Sequence, residues 1–358
     1  MSGQRILSVL RCRLWALILV AVIIISTAAF LSFYPASGPK ASGLGVPVGA
    51  FLYLWYGNAT GGVGGLGSPG WNSSTYPGGG AVVDTPAIGY YVSDSNATFQ
   101  WQVKEMQSAG ISFALISWWG PSRTGEAGAI NKATLDFFRY LKGTNSAFKA
   151  AIMVDAFEGG NNLNESTLNS VYDYVFSQFA STYSNWYFSW EGHPLLLFFN
   201  PIYPQTNDTR FTVRTIGNRP NPVDWQFWNA PVSFFQSQLQ PGVDAANDIG
   251  NPFISSDGEV TIVPRIDSYY NNRSGYQEGY LRFDPTLQLG LYQAEWNFVL
   301  NHRSEVKLVL IYSWNEYHER STIEPHVDGT SSVPSTYLLN LTASFTSQLE
   351  KGAGAPGL

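Results

Sequence analysis

The sequence predicts a single (β/α)₈ barrel of the TIM type, on the strength of two observations. Seven short apolar runs occur between residues 48 and 314, and stretches with helical spacing separate them. The runs are almost continuously apolar, which is typical of parallel strands that are buried on both faces. Strands that alternate with helices, without a second change in composition, indicate one α/β barrel. A doubly wound open sheet is the alternative, because only seven strands are evident.

The order of the elements follows from these patterns. The predicted strands are 48–56, 111–118, 149–155, 194–200, 224–229, 260–266 and 307–314. Helical spacing connects Phe99, Val103 and Met106; Leu135, Phe138 and Leu141; Leu168, Val171 and Val175; and it recurs in 286–300 and 336–349. Asp94 or Ser95 is the expected N-cap of the first helix, because its side-chain oxygen can accept a hydrogen bond from a free helix amide.

The N-terminal region predicts a membrane anchor. Residues 1–13 form a basic segment with three arginines and no acid, and residues 14–34 contain no charge. At 1.5 Å per residue the uncharged segment can cross a bilayer core of about 30 Å. The positive-inside rule places residues 1–13 in the cytoplasm and the rest of the chain outside the membrane. A cleaved signal peptide is the alternative, although its apolar region usually has about 7 to 15 residues.

The exported part begins with a linker. Residues 35–46, PASGPKASGLGV, are rich in Pro, Gly and Ser and predict a tether. The barrel domain is expected over 47–350, and residues 351–358 are expected to form a flexible tail. Seven N-x-S/T sequons fit a glycosylated extracellular protein. They begin at Asn58, Asn72, Asn96, Asn164, Asn207, Asn272 and Asn340.

Composition excludes several classes of function. Only 13% of the residues are charged and the formal net charge is -6, so a nucleic-acid partner is not expected. Cys12 is the single cysteine, which rules out an intrachain disulfide and any cysteine-based metal site. No phosphate-binding glycine motif follows a predicted strand, and no cofactor is expected.

Aromatic and acidic residues concentrate where the predicted strands end. In a barrel, these carboxyl ends form the face that carries the active site. Aromatic rings bind the apolar faces of sugars, while carboxylates and amides bind the hydroxyl groups, so this composition indicates a sugar site. The candidate substrate-binding residues are Trp55, Tyr56, Trp118, Trp119, Asp155, Glu158, Tyr203, Asp267, Tyr269, Trp314, Asn315 and His318. The alternative is that several of the tryptophans only cover the barrel mouth.

The strongest local signal is the segment VLIYSWNEYHERSTIEPH, residues 309–326. Glu316 and Glu319 are three residues apart, and a helical turn after Trp314 would bring their Cβ atoms to about 5 to 6 Å. That is close to the carboxyl separation of about 5 to 5.5 Å in retaining glycosidases. An extended chain would separate them, and a solvated acidic turn balanced by Arg320 is the other interpretation.

A metal site is a weaker alternative in the same segment. His318, Glu319, Glu324 and His326 are metal ligands by residue type. They lack H-E-x-x-H or another tight ligand spacing, and no metal is expected. The G-x-S-x-G motif of serine hydrolases is also absent.

Several segments resemble glycoside hydrolase family 99, the endo-α-mannosidase and endo-α-mannanase family, and its family-99-like relatives. The resemblance covers most of residues 48–350. It rests on SWNEYHERSTIEP (313–325) above all, and on FLYLWYG (51–57), PAIGYYVSDS (86–95), ISFALISWWGP (111–121), PLLLFFNPIY (194–203) and VPRIDSYY (263–270). The sequence departs from the family at Gly70–Trp71, where many members have His-Trp, and at VDAFEGG (154–160).

The resemblance implies a metal-free (β/α)₈ barrel that cleaves α-mannosidic linkages within a glycan with retention. By family motif, Glu316 is the base that deprotonates the sugar 2-hydroxyl, and Glu319 is the acid/base that acts on the leaving oxygen. The leading hypothesis is therefore a membrane-anchored, endo-acting glycoside hydrolase with a glycan or mannan substrate. A non-hydrolytic glycan-binding or surface-polysaccharide assembly protein on the same barrel is the alternative.

Overall fold

The computed structural model describes residues 45–57, 71, 82–155, 165–199, 208–217, 223–226, 252–265, 288–329 and 334–353. All of them belong to one compact unit, residues 42–358. No helix within these ranges is long and apolar enough to cross a bilayer. The predicted anchor at 14–34 lies outside the described residues.

The described part of the chain contains eleven strands and five α-helices. The strands are β1 (Val48–Leu52), β2 (Thr85–Pro86), β3 (Phe113–Trp118), β4 (Lys149–Val154), β5 (Ser189–Trp190), β6 (His193–Phe199), β7 (Thr212–Gly217), β8 (Trp225–Gln226), β9 (Glu259–Ile262), β10 (Leu308–Ile311) and β11 (His326–Val327). The helices are α1 (Asn96–Ser108), α2 (Gly125–Gly143), α3 (Glu165–Val175), α4 (Gln288–Asn301) and α5 (Tyr337–Ala353), and a π-helical turn, Phe176–Ala180, continues α3.

Eight of the strands form a parallel sheet that is nearly closed. Their hydrogen-bonded order is β8-β7-β6-β4-β3-β1-β10-β9. The two end strands, β8 and β9, lie next to each other, so the sheet curls into a barrel with one open seam. This arrangement fits the predicted (β/α)₈ barrel and not the open sheet.

The one strand of the parallel sheet that the sequence analysis did not predict is β7, Thr212–Gly217. Its sequence, TVRTIG, lacks an apolar run, because Arg214 and two threonines interrupt it. The Arg214 side chain is charged and partly exposed, and its Nε lies 2.8 Å from Asp257 Oδ2. The strand is nevertheless held by its parallel register with β6, in which Leu196 pairs with Val213. The parallel sheet therefore has eight strands, one more than the seven predicted.

The helices confirm the predicted spacing. Phe99, Val103 and Met106 are buried on α1, as predicted. Ser95 is the N-cap, and its hydroxyl oxygen accepts a hydrogen bond from the Thr98 amide at 3.2 Å. The helical spacing therefore identified the buried face of α1.

A two-stranded sheet outside the barrel connects the segment after β1 to the segment after β10. β2 pairs antiparallel with β11, with Pro86 opposite His326 and Thr85 opposite Val327. β2 belongs to the connection between β1 and α1, and β11 follows the segment after β10. The small sheet thus fastens the connection after β1 to the segment that carries the predicted glutamates.

Candidate active site at the carboxyl end of the barrel

The chain after β10 forms a compact non-helical turn. The Ser313 amide donates to the Ser321 carbonyl at 3.0 Å, and the Ser321 amide donates to the Glu316 carbonyl at 3.2 Å. Arg320 has φ of +52°, in the left-handed region, where the chain reverses direction. The helical turn that the spacing suggested is absent from residues 312–324. Glu316 and Glu319 therefore lie on a closed loop and not on one face of a helix.

The two glutamates occupy different environments. Glu316 is only 2% exposed, whereas Glu319 is partly exposed. The main-chain amide of His318 donates to Glu316 Oε1 at 2.9 Å, and His318 Nδ1 lies 3.5 Å from the same oxygen. Glu319 Oε2 accepts a hydrogen bond from the Tyr312 hydroxyl at 2.7 Å. One carboxyl group is therefore fixed inside the protein, and the other belongs to a side chain that is partly exposed.

Tyr53 lies among three carboxyl groups at the ends of β1, β4 and β10. Burial raises the pKa of Tyr53 well above its usual value, and the charges of Asp155, Glu316 and Glu319 raise it further. Burial followed by the charge of Glu319 raises the pKa of Tyr312 in the same way. Both phenols are therefore neutral hydrogen-bond donors at any physiological pH.

Asp155 supplies the third carboxyl group, directly after β4. Its Oδ2 accepts a hydrogen bond from the Ser117 hydroxyl at 2.6 Å, and its amide donates to the Trp118 carbonyl at 3.1 Å. Burial raises the pKa of Asp155, and the Ser117 hydroxyl partly offsets this shift. The position confirms that strands β3 and β4 direct polar groups to the same end of the barrel.

Aromatic rings form one wall beside these carboxyl groups. Trp55 packs edge-to-face on Trp119 at 5.7 Å between ring centroids and lies 4.5 Å from Tyr53. His318 lies 6.3 Å from Trp55 on the other side. Trp55 is 5% exposed, and its indole Nε1 has no hydrogen-bond partner among the described residues.

Asn315 holds the end of β1 in place. Its Oδ1 accepts from the Tyr53 amide at 2.8 Å, and its Nδ2 donates to the Tyr53 carbonyl at 2.9 Å and to the Tyr91 hydroxyl at 3.1 Å. The Tyr56 hydroxyl donates to the Asn315 carbonyl at 2.8 Å. Asn315 and Tyr56 are both fully buried, so they hold the end of β1 and the turn after β10 together inside the protein.

Two of the predicted tryptophans lie in the interior. Trp118 is fully buried, its Nε1 donates to Asn131 Oδ1 of α2 at 3.0 Å, and its ring stacks near Tyr174. The structure thus packs Trp118 against the helices and does not bring it to the carboxyl groups. Trp314 is also fully buried, and its carbonyl accepts a hydrogen bond from the Thr322 hydroxyl at 2.6 Å. Trp314 therefore helps to close the turn.

Four predicted site residues lie outside the described residues. They are Glu158, Tyr203, Asp267 and Tyr269. Their assignment to a sugar site stays a prediction.

Glu324 and His326, two of the alternative metal ligands, have other partners. Glu324 accepts hydrogen bonds from the Tyr91 and Tyr317 hydroxyls at 2.8 and 3.0 Å and from Trp101 Nε1 at 3.2 Å. Burial raises the pKa of Glu324 to about 7, and these three donors limit the shift. His326 Nδ1 donates to the Glu324 carbonyl at 2.6 Å. The four-ligand set suggested by the sequence is therefore not assembled among the described residues.

A buried ionic cluster lies behind the turn. Asp84 contacts Arg265 at 2.6 Å and Arg320 at 3.0 Å, and Asp328 contacts the same two guanidinium groups at 2.5 and 3.1 Å. Burial opposes the charge on Asp84, but Arg265 and Arg320 together hold its pKa below the usual value. Burial and the Arg265 charge lower the pKa of His326 to about 4.

This cluster has the geometry of ion pairing. Oxygen and nitrogen atoms of Asp84, His326 and Asp328 lie within 4.8 Å of one another, a spacing that fits a metal ion. Two guanidinium groups already contact both carboxylates, and their positive charge disfavours a cation there. Because Arg320 belongs to the turn after β10 and contacts Asp84, the cluster fixes this turn to the segment before β2.

Sequence reasoning did not identify Tyr53, Tyr312, Tyr91 or Asp84. For Tyr53 a signal was present, because Phe51, Tyr53 and Trp55 alternate along the first strand and its extension, and residues two apart share a face. Tyr312 lies beside Phe51 at 5.4 Å between ring centroids. Tyr91 and Asp84 are distant in sequence from the turn they contact, and no local pattern indicates those contacts.

Comparison with known proteins gives a likeness in fold. No protein-family model matches the chain, and no curated protein matches it. The structure is similar to that of the GH99 endo-alpha-mannosidase from Bacteroides thetaiotaomicron in complex with bis-tris-propane, with a TM-score of 0.61 and 16% identity over 87% of this chain and 100% of that one. A second structure of the Bacteroides thetaiotaomicron enzyme gives a TM-score of 0.57 at 15% identity over 88% and 100% of the two chains.

A third structure is described as a glycoside hydrolase-like protein. It has a TM-score of 0.51 and 17% identity, and the match covers 88% of this chain and 98% of that chain. At these identities the likeness establishes a shared barrel fold. It does not assign this chain to the family.

Proposed function

We propose that this protein is a glycoside hydrolase whose catalytic residues are Glu316 and Glu319. The observation that carries the proposal is the pair of glutamates on one closed turn at the carboxyl end of the barrel. Both charges act on Tyr53, which also lies beside Asp155. A barrel that concentrates three carboxyl groups and an aromatic wall at this end has the composition of a sugar-cleaving site. The fold shared with glycoside hydrolase structures supports the same activity.

The two environments suit two different roles. Glu316 is buried and accepts the His318 amide, so a fixed carboxylate is ready to take a proton. In the first step Glu316 removes the proton of the sugar 2-hydroxyl, and that oxygen forms a bond to C1. The bond between C1 and the leaving oxygen breaks, and Glu319 gives its proton to that oxygen. The product at this stage is a 1,2-anhydro sugar and the released part of the glycan.

The second step reverses the proton transfers. Glu319, now a carboxylate, takes a proton from water, and the water oxygen attacks C1. The three-membered ring opens at the C1–O2 bond, and Glu316 returns the proton to O2. Two displacements at C1 give retention of configuration. Glu319 is partly exposed and therefore accessible to both the leaving oxygen and water.

The proposed substrate is an α-mannosidic or related linkage inside a glycan or polysaccharide. In an α-linked manno sugar the 2-hydroxyl is anti to the leaving group, which is the geometry that the first step requires. The substrate class rests on the resemblance of the SWNEYHERSTIEP segment to the endo-α-mannosidase family and on the similar fold of the Bacteroides thetaiotaomicron enzyme.

The proposed location is the outside of the cell, with residues 14–34 as the membrane anchor. The uncharged length of this segment and the arginines that precede it support this orientation. Of the sequon asparagines, Asn96 and Asn340 are described, and both are exposed. Protease treatment of intact cells should remove the barrel, and a protein that survives such treatment intact would contradict the orientation.

The test of activity uses the full chain with a panel of α-mannans and mannose-capped oligosaccharides, with products detected by mass spectrometry. Glu316→Gln and Glu319→Gln should each reduce turnover by at least about a hundredfold, the usual contribution of general acid–base catalysis. Glu305→Gln is the matched control, because Glu305 is exposed just before β10 at the opposite end of the barrel.

The outcomes separate the alternatives. Products that disappear in both site variants and persist in Glu305→Gln would support hydrolysis by the two glutamates. Near-normal turnover in either site variant would overturn the assignment of its role. Glycan binding without any product would favour the non-hydrolytic glycan-binding protein.

A further inference from the structure

Glu324, at the end of the turn after β10, is a fully buried carboxyl group. Its Oε2 accepts hydrogen bonds from the hydroxyls of Tyr91 and Tyr317 at 2.8 and 3.0 Å, and its Oε1 accepts one from Trp101 Nε1 at 3.2 Å. These three donors are neutral groups, so none of them balances a negative charge. Burial of such a carboxyl group is costly, and groups of this kind concentrate at functional sites.

The Tyr91 hydroxyl connects Glu324 to the side chain of Asn315. The Tyr91 oxygen accepts hydrogen bonds from Asn315 Nδ2 at 3.1 Å and from Gln102 Nε2 at 3.4 Å. Because a phenol has a single proton and both amides donate to its oxygen, that proton is left for Glu324. The Glu324 carboxyl group therefore fixes the orientation of the Tyr91 hydroxyl, which in turn holds the Asn315 side chain.

Tyr317 connects Glu324 to the main chain of Asn315. The Tyr317 hydroxyl donates to Glu324, and the Tyr317 amide donates to the Tyr56 hydroxyl at 3.0 Å. The Tyr56 hydroxyl then donates to the Asn315 carbonyl at 2.8 Å. All four residues are buried, so this second connection lies entirely inside the protein.

Both connections end at Tyr53, through Asn315. The Asn315 side chain bonds the amide and the carbonyl of Tyr53, at 2.8 and 2.9 Å. Tyr53 lies among the charges of Asp155, Glu316 and Glu319. A continuous series of hydrogen bonds therefore joins the buried carboxyl group at the end of the turn to the proposed catalytic carboxyl groups.

From these contacts we infer that Glu324 is a positioning residue for the proposed reaction. Its carboxyl group directs the Tyr91 and Tyr317 hydroxyls, and these hold Asn315 and the attached Tyr53 in place. The inference rests on the proposed glycoside hydrolase activity and adds a residue to its machinery. Because a fully buried side chain does not contact substrate, a change at Glu324 should lower kcat and leave KM nearly unchanged.

The test compares kcat and KM of the full chain on an α-mannan for Glu324→Gln, Tyr91→Phe and the double variant. Glu324→Gln keeps the size of the side chain and places an amide among hydrogen-bond donors, whereas Tyr91→Phe removes only a hydroxyl. Each change should reduce kcat about tenfold, the effect of losing one hydrogen bond in the series. The double variant should lose no more than Glu324→Gln alone, because the two residues act through the same hydrogen bonds.

Glu259→Gln is the matched control. Glu259 is also a fully buried glutamate that accepts a hydrogen bond from a hydroxyl, that of Thr261 at 2.5 Å. It begins β9 and therefore lies at the opposite end of the barrel from the proposed site. Glu259→Gln should leave kcat unchanged, and urea denaturation of every variant verifies that the protein measured is folded.

Four results would overturn the positioning role. They are near-normal kcat in Glu324→Gln, a loss that appears in KM alone, a double variant whose loss is the product of the single losses, and an equal loss of kcat in Glu259→Gln. If Glu324→Gln does not fold, Tyr91→Phe decides, because near-normal kcat in that variant would also contradict the inference.

The proposed function is judged separately, on the unaltered protein. Hydrolysis by the unaltered protein would leave that function intact in each of these cases. If the unaltered protein cleaved no glycan, the proposed function and the role of Glu324 in it would both be overturned.

Discussion

The Tyr312 hydroxyl donates a hydrogen bond of 2.7 Å to Glu319, seven residues later in the chain. Tyr312 follows β10 directly. Glu319 lies on the turn after β10, one residue before Arg320, where the chain reverses direction. The bond therefore links the end of a barrel strand to the partly exposed carboxyl group of the proposed acid/base. This hydrogen bond fixes the geometry of the turn at Glu319, the residue proposed to act as the acid/base.

The first prediction concerns this hydrogen bond. A hydrogen bond donated to a carboxyl group favours its ionised form, so Tyr312→Phe should move the alkaline limb of the pH–activity profile to higher pH. Turnover should fall about tenfold, because Glu319 also loses its orientation. The measurement is turnover on an α-mannan across the pH range. An unchanged profile would show that Tyr312 does not act on Glu319.

The second prediction concerns Asn315. Asn315→Ala removes the partners of the Tyr53 amide and carbonyl, and two buried unpaired groups should lower the free energy of unfolding by about 2 to 4 kcal/mol. Because Tyr53 would lose its position among the carboxyl groups, turnover should also fall. Urea denaturation and kinetics on the same preparation give both values.

Asn131→Ala is the control for Asn315→Ala. Asn131 is another buried asparagine, and it bonds Trp118 and Tyr174 in the helix layer. Its loss should reduce stability and leave turnover unchanged. If both variants lost activity to the same extent, Asn315 would affect turnover only through the stability of the protein, and its role in positioning Tyr53 would be contradicted.

The third prediction concerns the ionic cluster. Asp84→Asn leaves Arg265 and Arg320 with a single carboxylate, and an uncompensated buried charge should lower the free energy of unfolding by about 3 to 5 kcal/mol. Asp136→Asn is the surface comparison, because Asp136 pairs with Lys132 at 2.7 Å near solvent. That variant should lose about 1 kcal/mol or less in chemical denaturation. Similar losses of stability in Asp84→Asn and Asp136→Asn would contradict the distinction between buried and surface ion pairs.

The fourth prediction concerns the pH dependence of stability. Burial holds the pKa of His326 at about 4 in the folded protein, below its usual value of 6.5. A lowered pKa means that the unfolded chain takes up the proton first, so stability present above pH 6.5 is lost as the pH falls towards 4. By linkage, the loss at pH 4.5 is about 2 to 3 kcal/mol.

His326→Gln should remove this contribution. The difference in unfolding free energy between pH 7 and pH 4.5 should be smaller in the variant by about 2 to 3 kcal/mol, measured by urea denaturation at both pH values. Asp84 also responds to acid, but Arg265 and Arg320, which remain in the variant, lower its pKa more than His326 does, so most of its contribution is common to the two proteins. An equal acid response in both proteins would place the proton uptake elsewhere.

Local patterns predicted much of the fold. Val48–Leu52 and Phe113–Trp118 lie within predicted strands, and the apolar spacing of α1 placed Phe99, Val103 and Met106 in the core. β7 was missed because its Arg214 finds partners in Asp257 and Glu191, which lie far away in the sequence. A strand that tolerates a charge through tertiary ion pairs has no apolar run to reveal it.

The candidate site was predicted in part. The sequence located Asp155 at the end of one predicted strand and Glu316 and Glu319 after another, and the fold directs β4 and β10 to the same end of the barrel. It did not distinguish aromatic residues of the wall, such as Trp55, from interior ones, such as Trp118. Both lie near the ends of predicted apolar strands, and the direction of each side chain depends on where the strand ends and which layer packs on it.

The sequence by itself determined that strands and helices alternate, because this follows from periodicity. Residue type alone excluded cysteine chemistry and identified Glu316 and Glu319 as candidate catalytic residues. Only the tertiary structure decided that the turn after β10 is non-helical and that Tyr312 binds Glu319. It also decided that Asp84 and Tyr91 hold the turn from more than 200 positions away. Such contacts are set by the packing of the whole barrel, and no local pattern in the sequence encodes them.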